Sequence, residues 1–130
     1  MGKEMIFIFG GAYQGKLDYA LKNYDLTEKD VHHCDMESMV LNFDRKVIDN
    51  LDRFVLACIK EDVNAKECLE DNIDKLRDKI IICDDISQGV VPMDKTERAW
   101  REATSRCMTY LGQEADEVIR IFCGIGSKIK

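Results

Sequence analysis

The sequence predicts an α/β fold with a mainly parallel sheet, and two observations support this prediction. Residues 5–9 and 80–83 are continuously apolar, as expected of short strands that are buried on both faces. The stretches between such runs have apolar residues spaced by three and four, which is typical of amphipathic helices. Because strands alternating with helices form crossover units, their carboxyl ends should meet at one edge of the sheet, where ligands bind.

The first half of the chain should contain two strands and a short helix. Residues 5–9 form the first predicted strand, and residues 16–24 form the first helix. Residues 30–34 give a weaker strand signal. Thr27 and Asp30 could instead cap a turn of helix, so both interpretations stay open at this point.

The middle of the chain is predicted to be helical. The spacing of apolar residues predicts a long helix over residues 36–60, a break near residues 61–64, and a second helix over residues 63–78. Residues 79–83 then return to the strand pattern.

The last third should add one helix and one strand. Asp94 lies three residues before Glu97, which is the spacing of a helix N-cap, so we expect a helix over residues 95–112. Residues 118–123 form a strand, and residues 123–126 read as a second glycine-rich loop.

Length and composition restrict the classes of protein that fit this chain. Its 130 residues suit a single domain, residues 1–130. A net charge of −6 without a basic block argues against general nucleic-acid binding. No apolar run reaches the ~20 residues that span a membrane, so we expect no membrane association and a cytoplasmic protein. The six cysteines form no C-x-x-C pair and read as small buried hydrophobic residues of a reducing compartment.

The most specific motif joins the first strand to the first helix. The pattern G-x-x-x-x-G-K-[ST] is matched at every fixed position but the last by the segment Gly10, Gly11, Ala12, Tyr13, Gln14, Gly15, Lys16 and Leu17. In a P-loop, backbone N–H groups and the lysine cradle the phosphates of a nucleotide. These eight residues are therefore the predicted nucleotide-binding residues, for ATP or GTP, and Lys16 is the predicted catalytic lysine. A surface lysine beside a tight strand–helix turn is the alternative.

Leu17 stands where the motif has a hydroxyl that binds Mg²⁺, so we expect Mg²⁺ binding to be possible but weakened. Asp35 and Asp85 are the predicted metal ligands that would take its place, and Asp85 is also a predicted catalytic residue. Glu37 and Asp84 are further candidates. Any one of these carboxylates could equally cap a helix or face solvent.

Other charged residues give weaker signals. His32 and His33 are adjacent in a predicted strand, so their side chains point to opposite faces and cannot converge on one ion. Arg98, Arg101 and Arg106 follow one helix face and could bind phosphate, or could face solvent.

Five segments of the chain are similar in sequence to the motifs of one known family. Residues 86–92 resemble E-V-G-x-G-I-V-P, with Asp85 in the place of the glutamate, and residues 10–16 look like G-G-A-R-S-G-K. The segments R-x-F-R-D and A-D-E-V have counterparts at residues 98–102 and 115–118, and residues 123–130 are similar to S-G-I-G-x-K-I-K. The family is the bifunctional adenosylcobinamide kinase / adenosylcobinamide-phosphate guanylyltransferase.

This resemblance implies a P-loop NTPase fold of the RecA-like, three-layer kind, a homotrimer and a role in cobalamin biosynthesis. It also implies a nucleoside triphosphate and a corrinoid as ligands. The family transfers GMP through a histidine on a segment that this shorter chain lacks, so guanylyl transfer is expected to be lost. Whether kinase activity remains is open, and the alternative is a non-catalytic regulatory or assembly protein that binds nucleotide, phosphate or corrinoid.

Overall fold

The computed structural model describes residues 4–86 and 94–130, and in this part of the chain a six-stranded sheet is flanked by helices. The strands are β1 (Ile6–Gly10), β2 (Val31–His33), β3 (Val47–Asp49), β4 (Ile80–Asp84), β5 (Glu117–Phe122) and β6 (Ile125–Lys128). The helices are α1 (Lys16–Asn23), α2 (Leu51–Lys60), α3 (Ala65–Asp71), α4 (Ile73–Leu76) and α5 (Lys95–Glu114), and a 3₁₀ turn spans Glu28–Asp30.

The sheet is mainly parallel, as predicted. Its order is β2-β3-β4-β1-β5-β6, and only the β5–β6 pair is antiparallel. The first strand, β1, lies between β4 and β5, so its carboxyl end is near the centre of the sheet edge. The carboxyl ends of the five parallel strands therefore meet at one edge, with the loop after β1 in the middle.

Helices cover both faces of the sheet and produce a three-layer fold. Ile6 and Ile8 of β1 pack on the same side as Ala20 of α1. Phe7 points to the opposite face, where it belongs to a cluster with Phe54 of α2 and Leu111 of α5. The alternation along β1 is the period of two that a strand imposes, and it gives the sheet an apolar core on each face.

The prediction of one helix over residues 36–60 is wrong. Val47 and Ile48 are fully buried in β3 and pair with Ile80 and Ile81 of β4. Asn50 then adopts a left-handed conformation with φ of 58°, which ends the strand and turns the chain into α2. These residues form a strand because they are buried between neighbouring strands and between the two helical layers. The helical spacing of the apolar residues does not decide their conformation.

The prediction of a glycine-rich loop over residues 123–126 is wrong for its second half. Residues 125–128 form β6, which pairs with β5 across a two-residue turn at Cys123 and Gly124. Both turn residues have positive φ, 51° and 75°, as the common hairpin turns require.

The predicted helix over residues 63–78 is divided at Asn72 into α3 and α4. The other predicted elements that the structure describes are confirmed with small shifts of their ends. The region of Thr27 contains both alternatives, because a 3₁₀ turn with a reciprocal capping box precedes β2. Asp94 caps α5 by accepting the N–H of Thr96 at 2.9 Å. The predicted loop around Gly89 and Pro92 lies outside the described residues.

Candidate phosphate-binding site

The loop between β1 and α1 has a backbone that only particular residues allow. Gly15 precedes α1 with φ of 85°, a left-handed conformation that glycine adopts without strain. A side chain at Gly10 would collide with the carbonyl oxygen of Ile121, so the start of the loop lies directly against β5. These two glycines therefore fix the path of the loop at both ends.

Lys16 is the most constrained charged residue of the loop. Its side chain is only 6% exposed. The ammonium donates to the carbonyl oxygen of Gly11 at 2.6 Å and forms an ion pair with Asp84 Oδ1 at 2.7 Å. Asp84 ends β4 and lies opposite Gly10 in the sheet. The lysine is thus bent back over the loop and held at the sheet edge.

A cavity of about 300 Å³ opens above this lysine. Its described lining comes from residues 12–18 and from the ends of three other elements: Asp49, Asn50, Arg53 and Asp84. Of the eight predicted nucleotide-binding residues, Ala12, Tyr13, Gln14, Gly15, Lys16 and Leu17 line it directly. Gly10 and Gly11 lie behind, at the end of β1.

The two predicted metal ligands, Asp35 and Asp85, are not among the described residues that line this cavity. Asp35 is exposed, and its carboxylate accepts the N–H of Glu37 at 2.7 Å. Asp85 is half-buried, and its N–H donates to the carbonyl oxygen of Gly10 at 2.8 Å. The carboxylates that line the cavity are instead those of Asp18, Asp49 and Asp84.

Asp49 lies at the end of β3 within a chain of hydrogen bonds. Its side chain is 8% exposed and contacts His33 Nδ1 at 3.0 Å, while His33 Nε2 contacts Glu28 at 2.9 Å. The hydrogen bond to Glu28 raises the pKa of His33 above its ordinary value. Burial raises the pKa of Asp49, and the charge of His33 opposes that rise. Because both partners of the imidazole are carboxylates, this arrangement favours the doubly protonated ring, which donates to each.

Asp52 forms hydrogen bonds to two other elements of the fold near the cavity. Its carboxylate accepts the backbone N–H of Asp84 at 3.0 Å, and its carbonyl oxygen accepts the indole N–H of Trp100 at 2.7 Å. Asp52 is 4% exposed, and burial raises its pKa to about 6. This residue therefore joins α2, β4 and α5 behind the site.

The loop is also fastened to the β5–β6 turn. The side-chain oxygen of Gln14 accepts the N–H of Cys123 at 2.6 Å, and its carbonyl oxygen accepts the N–H of Gly124 at 2.8 Å. A Cβ at Gly15 would lie 3.4 Å from the Cα of Gly124, so the two backbones are in contact. Gln14 thus holds the loop against the β5–β6 turn.

The residues around the cavity do not fit a Mg²⁺ ion held in the usual P-loop manner. Leu17 contributes no oxygen, the Asp84 carboxylate is paired with Lys16, and the Asp49 carboxylate is bonded to His33. Asp18 is the remaining lining carboxylate, and it is exposed. In residues 4–86 and 94–130 no group of three or more His, Cys, Asp or Glu side chains is arranged to hold a metal ion. Hard cations such as Mg²⁺ need several such oxygens in a regular geometry.

The remaining candidates lie elsewhere. His32 Nε2 contacts the carbonyl oxygen of Val40 at 3.0 Å. Arg101 donates to the carbonyl oxygen of Ile86 at 2.9 Å, and Arg106 lies 3.8 Å from Glu102 on the same helix. Neither of these arginines nor Arg98 is among the described lining residues.

Sequence reasoning missed four of the lining residues. One is Asp18, in the first turn of α1, and the other three are Asp49, Asn50 and Arg53. Their only local signal is the buried pair Val47 and Ile48 followed directly by Asp and Asn, a strand that ends in polar residues. The predicted long helix hid that signal.

The glycine-rich strand–loop–helix unit with its buried lysine, set in this sheet, defines a P-loop NTPase fold. The order is of the RecA-like kind, since β4 separates β1 from β3. Comparison with protein-family models matches residues 35–129 to the cobinamide kinase / cobinamide phosphate guanyltransferase family, and the chain belongs to this family. The matched residues begin after the loop at residues 10–17. Comparison with curated proteins gave no significant match.

Membership of this family indicates the general class of ligand to expect. The family acts in cobalamin biosynthesis and binds nucleoside triphosphates and cobinamide substrates. None of the helices in the described part of the chain has the length and hydrophobicity needed to cross a membrane.

Proposed function

We propose that this protein binds the polyphosphate of a nucleoside triphosphate, ATP or GTP, over residues 11–16. The observation that carries the proposal is Lys16, a buried ammonium at the base of the cavity. An ammonium has three N–H donors, and the two contacts to Gly11 and Asp84 leave one for a phosphate oxygen. The N-terminus of α1 adds backbone N–H groups that favour anions.

The proposal excludes guanylyl transfer through a histidine. The sequence contains two histidines, and both belong to the described residues. His33 uses both ring nitrogens in contacts to carboxylates, and His32 contacts a backbone carbonyl. Neither lines the cavity. A nucleophilic imidazole needs an unprotonated nitrogen next to the α-phosphate, which these contacts oppose.

Phosphorylation of a cobinamide hydroxyl is the second candidate function, and the position of Asp49 favours it. This buried carboxylate lines the same cavity as Lys16, and its raised pKa suits a group that accepts a proton from a hydroxyl. Asp85, the residue predicted from the sequence for this task, lies beside Gly10 at the rim of the loop and stays a proposal. A non-catalytic protein that binds nucleotide, phosphate or corrinoid is the outcome if no transfer occurs.

Calorimetric titration with ATP, GTP and inorganic phosphate tests the binding proposal. We expect the wild-type protein to bind a triphosphate more tightly than phosphate, and Lys16→Ala to lose this binding. Lys22→Ala is the matched control, since it removes an exposed lysine from the other end of α1. Circular dichroism verifies that each variant is folded. Equal affinity of wild type and Lys16→Ala would contradict the proposal.

Two further measurements separate the functions. Incubation with labelled GTP followed by denaturing gel analysis should show no covalent guanylyl adduct, and an adduct would restore the transferase function. Phosphorylation of cobinamide by wild type but not by Asp49→Asn would establish the kinase function with Asp49 in it.

A homotrimer, proposed from the resemblance, would show as three times the 15.0 kDa chain mass in light scattering.

A further inference from the structure

Arg53 is the second cation of the cavity, and it is not explained by the family or by the loop motif. Its side chain is exposed and lines the cavity together with Lys16 and Leu17. Unlike Lys16, it forms no ion pair or side-chain hydrogen bond with another described residue. The guanidinium is therefore available to a ligand in the cavity.

The backbone that carries Arg53 is firmly placed. Arg53 is the third residue of α2, and its N–H donates to the carbonyl oxygen of Asn50 at 2.9 Å. Its neighbours Asp52 and Phe54 are both buried, and Asp52 binds the backbone of β4. The arginine thus projects from a rigid turn that borders the loop.

Helix stability does not account for a positive charge at this position. The N-terminal end of a helix carries a partial positive charge, so an arginine in its first turn is unfavourable by a small amount. On the same helix, Lys60 lies in the last turn, where a cation is favourable, and it pairs with Glu37. Burial raises the pKa of the neighbouring Asp52, and the charge of Arg53 opposes that rise. The exposed side chain of Arg53 also lines the cavity, where a negatively charged ligand can reach it.

A triphosphate in this cavity requires more positive charge than Lys16 supplies. A triphosphate carries several negative charges, and Lys16 is already shared with Asp84. The usual loop adds Mg²⁺ through a hydroxyl, but this chain has Leu17 at that position. A guanidinium can bind two oxygens of one phosphate through its planar fork, without any metal.

We propose that Arg53 binds the terminal phosphate of the nucleotide, and that it allows nucleotide binding without Mg²⁺. The inference rests on the function proposed above and adds a binding residue and a cofactor requirement to it. P-loop proteins usually neutralise the terminal phosphate with a metal ion. In this protein a side chain of α2 supplies that positive charge.

The test compares Arg53→Gln with Lys60→Gln in titrations with ATP, ADP and AMP. Each variant removes one positive charge from α2, at opposite ends of the helix, and both side chains are exposed enough for folding to be preserved. We expect Arg53→Gln to weaken ATP binding by about tenfold to a hundredfold, the usual range for a charged hydrogen bond. The loss should be smaller for AMP, and Arg53→Lys should restore part of it. Lys60→Gln should bind ATP like the wild type.

The metal requirement is measured with the wild-type protein in EDTA and in excess Mg²⁺. We expect ATP affinities within about threefold of each other, a difference well below one charged hydrogen bond. ATP binding that appears only with Mg²⁺, or equal losses in Arg53→Gln and Lys60→Gln, would overturn the inference while leaving the role of Lys16 intact. Absence of ATP binding in wild type under both conditions would overturn the inference and the proposed function together.

Discussion

Replacement of Asp52 by asparagine should stabilise this protein at neutral pH. Burial raises the pKa of Asp52 from 3.8 to about 6. The folded state therefore binds the proton more tightly than the unfolded state, and stability falls as pH rises from about 4 to about 6 and stays low above that. Each tenfold difference in proton affinity corresponds to ~1.4 kcal/mol, so the ionised carboxylate costs about 3 kcal/mol at pH 7.

Asparagine removes this cost and keeps the important contact. Its amide oxygen can still accept the N–H of Asp84, as the carboxylate does at 3.0 Å. The new amide N–H₂ has no identified acceptor, and an unpaired buried donor costs roughly 1 kcal/mol. The net gain at pH 7 is then about 2 kcal/mol, or a rise in Tm of several degrees.

Urea unfolding between pH 4 and pH 8 measures this effect, with the fluorescence of Trp100 as a probe because its indole binds Asp52. Asp71→Asn, a change at an exposed residue of α3, controls for the lost charge. The advantage of Asp52→Asn over wild type should grow from about pH 4 to pH 6 and then remain constant. A variant that is less stable than wild type at pH 7, or whose advantage does not change with pH, would refute this reasoning.

Two other predictions concern the loop and the hairpin beside it. Gly10→Ala should destabilise the fold by about 2 kcal/mol, because a Cβ would collide with the backbone of Ile121; urea unfolding against Gly112→Ala, where the new Cβ meets nothing within 4 Å, provides the comparison. Equal stability of the two variants would argue against a close contact between β1 and β5. In the native protein, a thiol reagent should modify Cys123 first, since this cysteine is exposed, and Cys123→Ser should remove the fast phase. Burial raises the pKa of other thiols to about 12 and keeps them slow, as at Cys34, Cys58 and Cys107. A fast phase that survives the substitution would contradict this.

Where the sequence predicted the fold well, the signal was local. The strand at residues 5–9, the glycines of the loop and the cap at Asp94 each depend on residues within a few positions of one another. The three-residue strand β3 gives only a weak local signal, because the apolar pair Val47 and Ile48 is too short to indicate a strand and also fits a helical spacing. The exposed edge strand β6 was missed for another reason, since Gly126 and the polar residues beside it resemble a loop.

The residues of the site also divide into those with a local sequence signal and those without one. Lys16 and Gly15 belong to a contiguous motif and could be named from it. Asp49 and Arg53 reach the cavity only because β3 lies beside β4 in the sheet, and this adjacency is a property of the whole fold. Missing β3 therefore removed both residues from the prediction and left Asp35 and Asp85 in their place.

The contacts between Gln14 and the β5–β6 turn have a consequence for the order of folding. They join residues 109 positions apart in the sequence. During synthesis the glycine-rich segment emerges first, yet its backbone receives this support only after Cys123 and Gly124 have been made. A nascent chain that lacks the hairpin would contain all the residues of the loop without the geometry that binds a phosphate. Nucleotide capture should therefore be among the last properties this chain acquires as it folds.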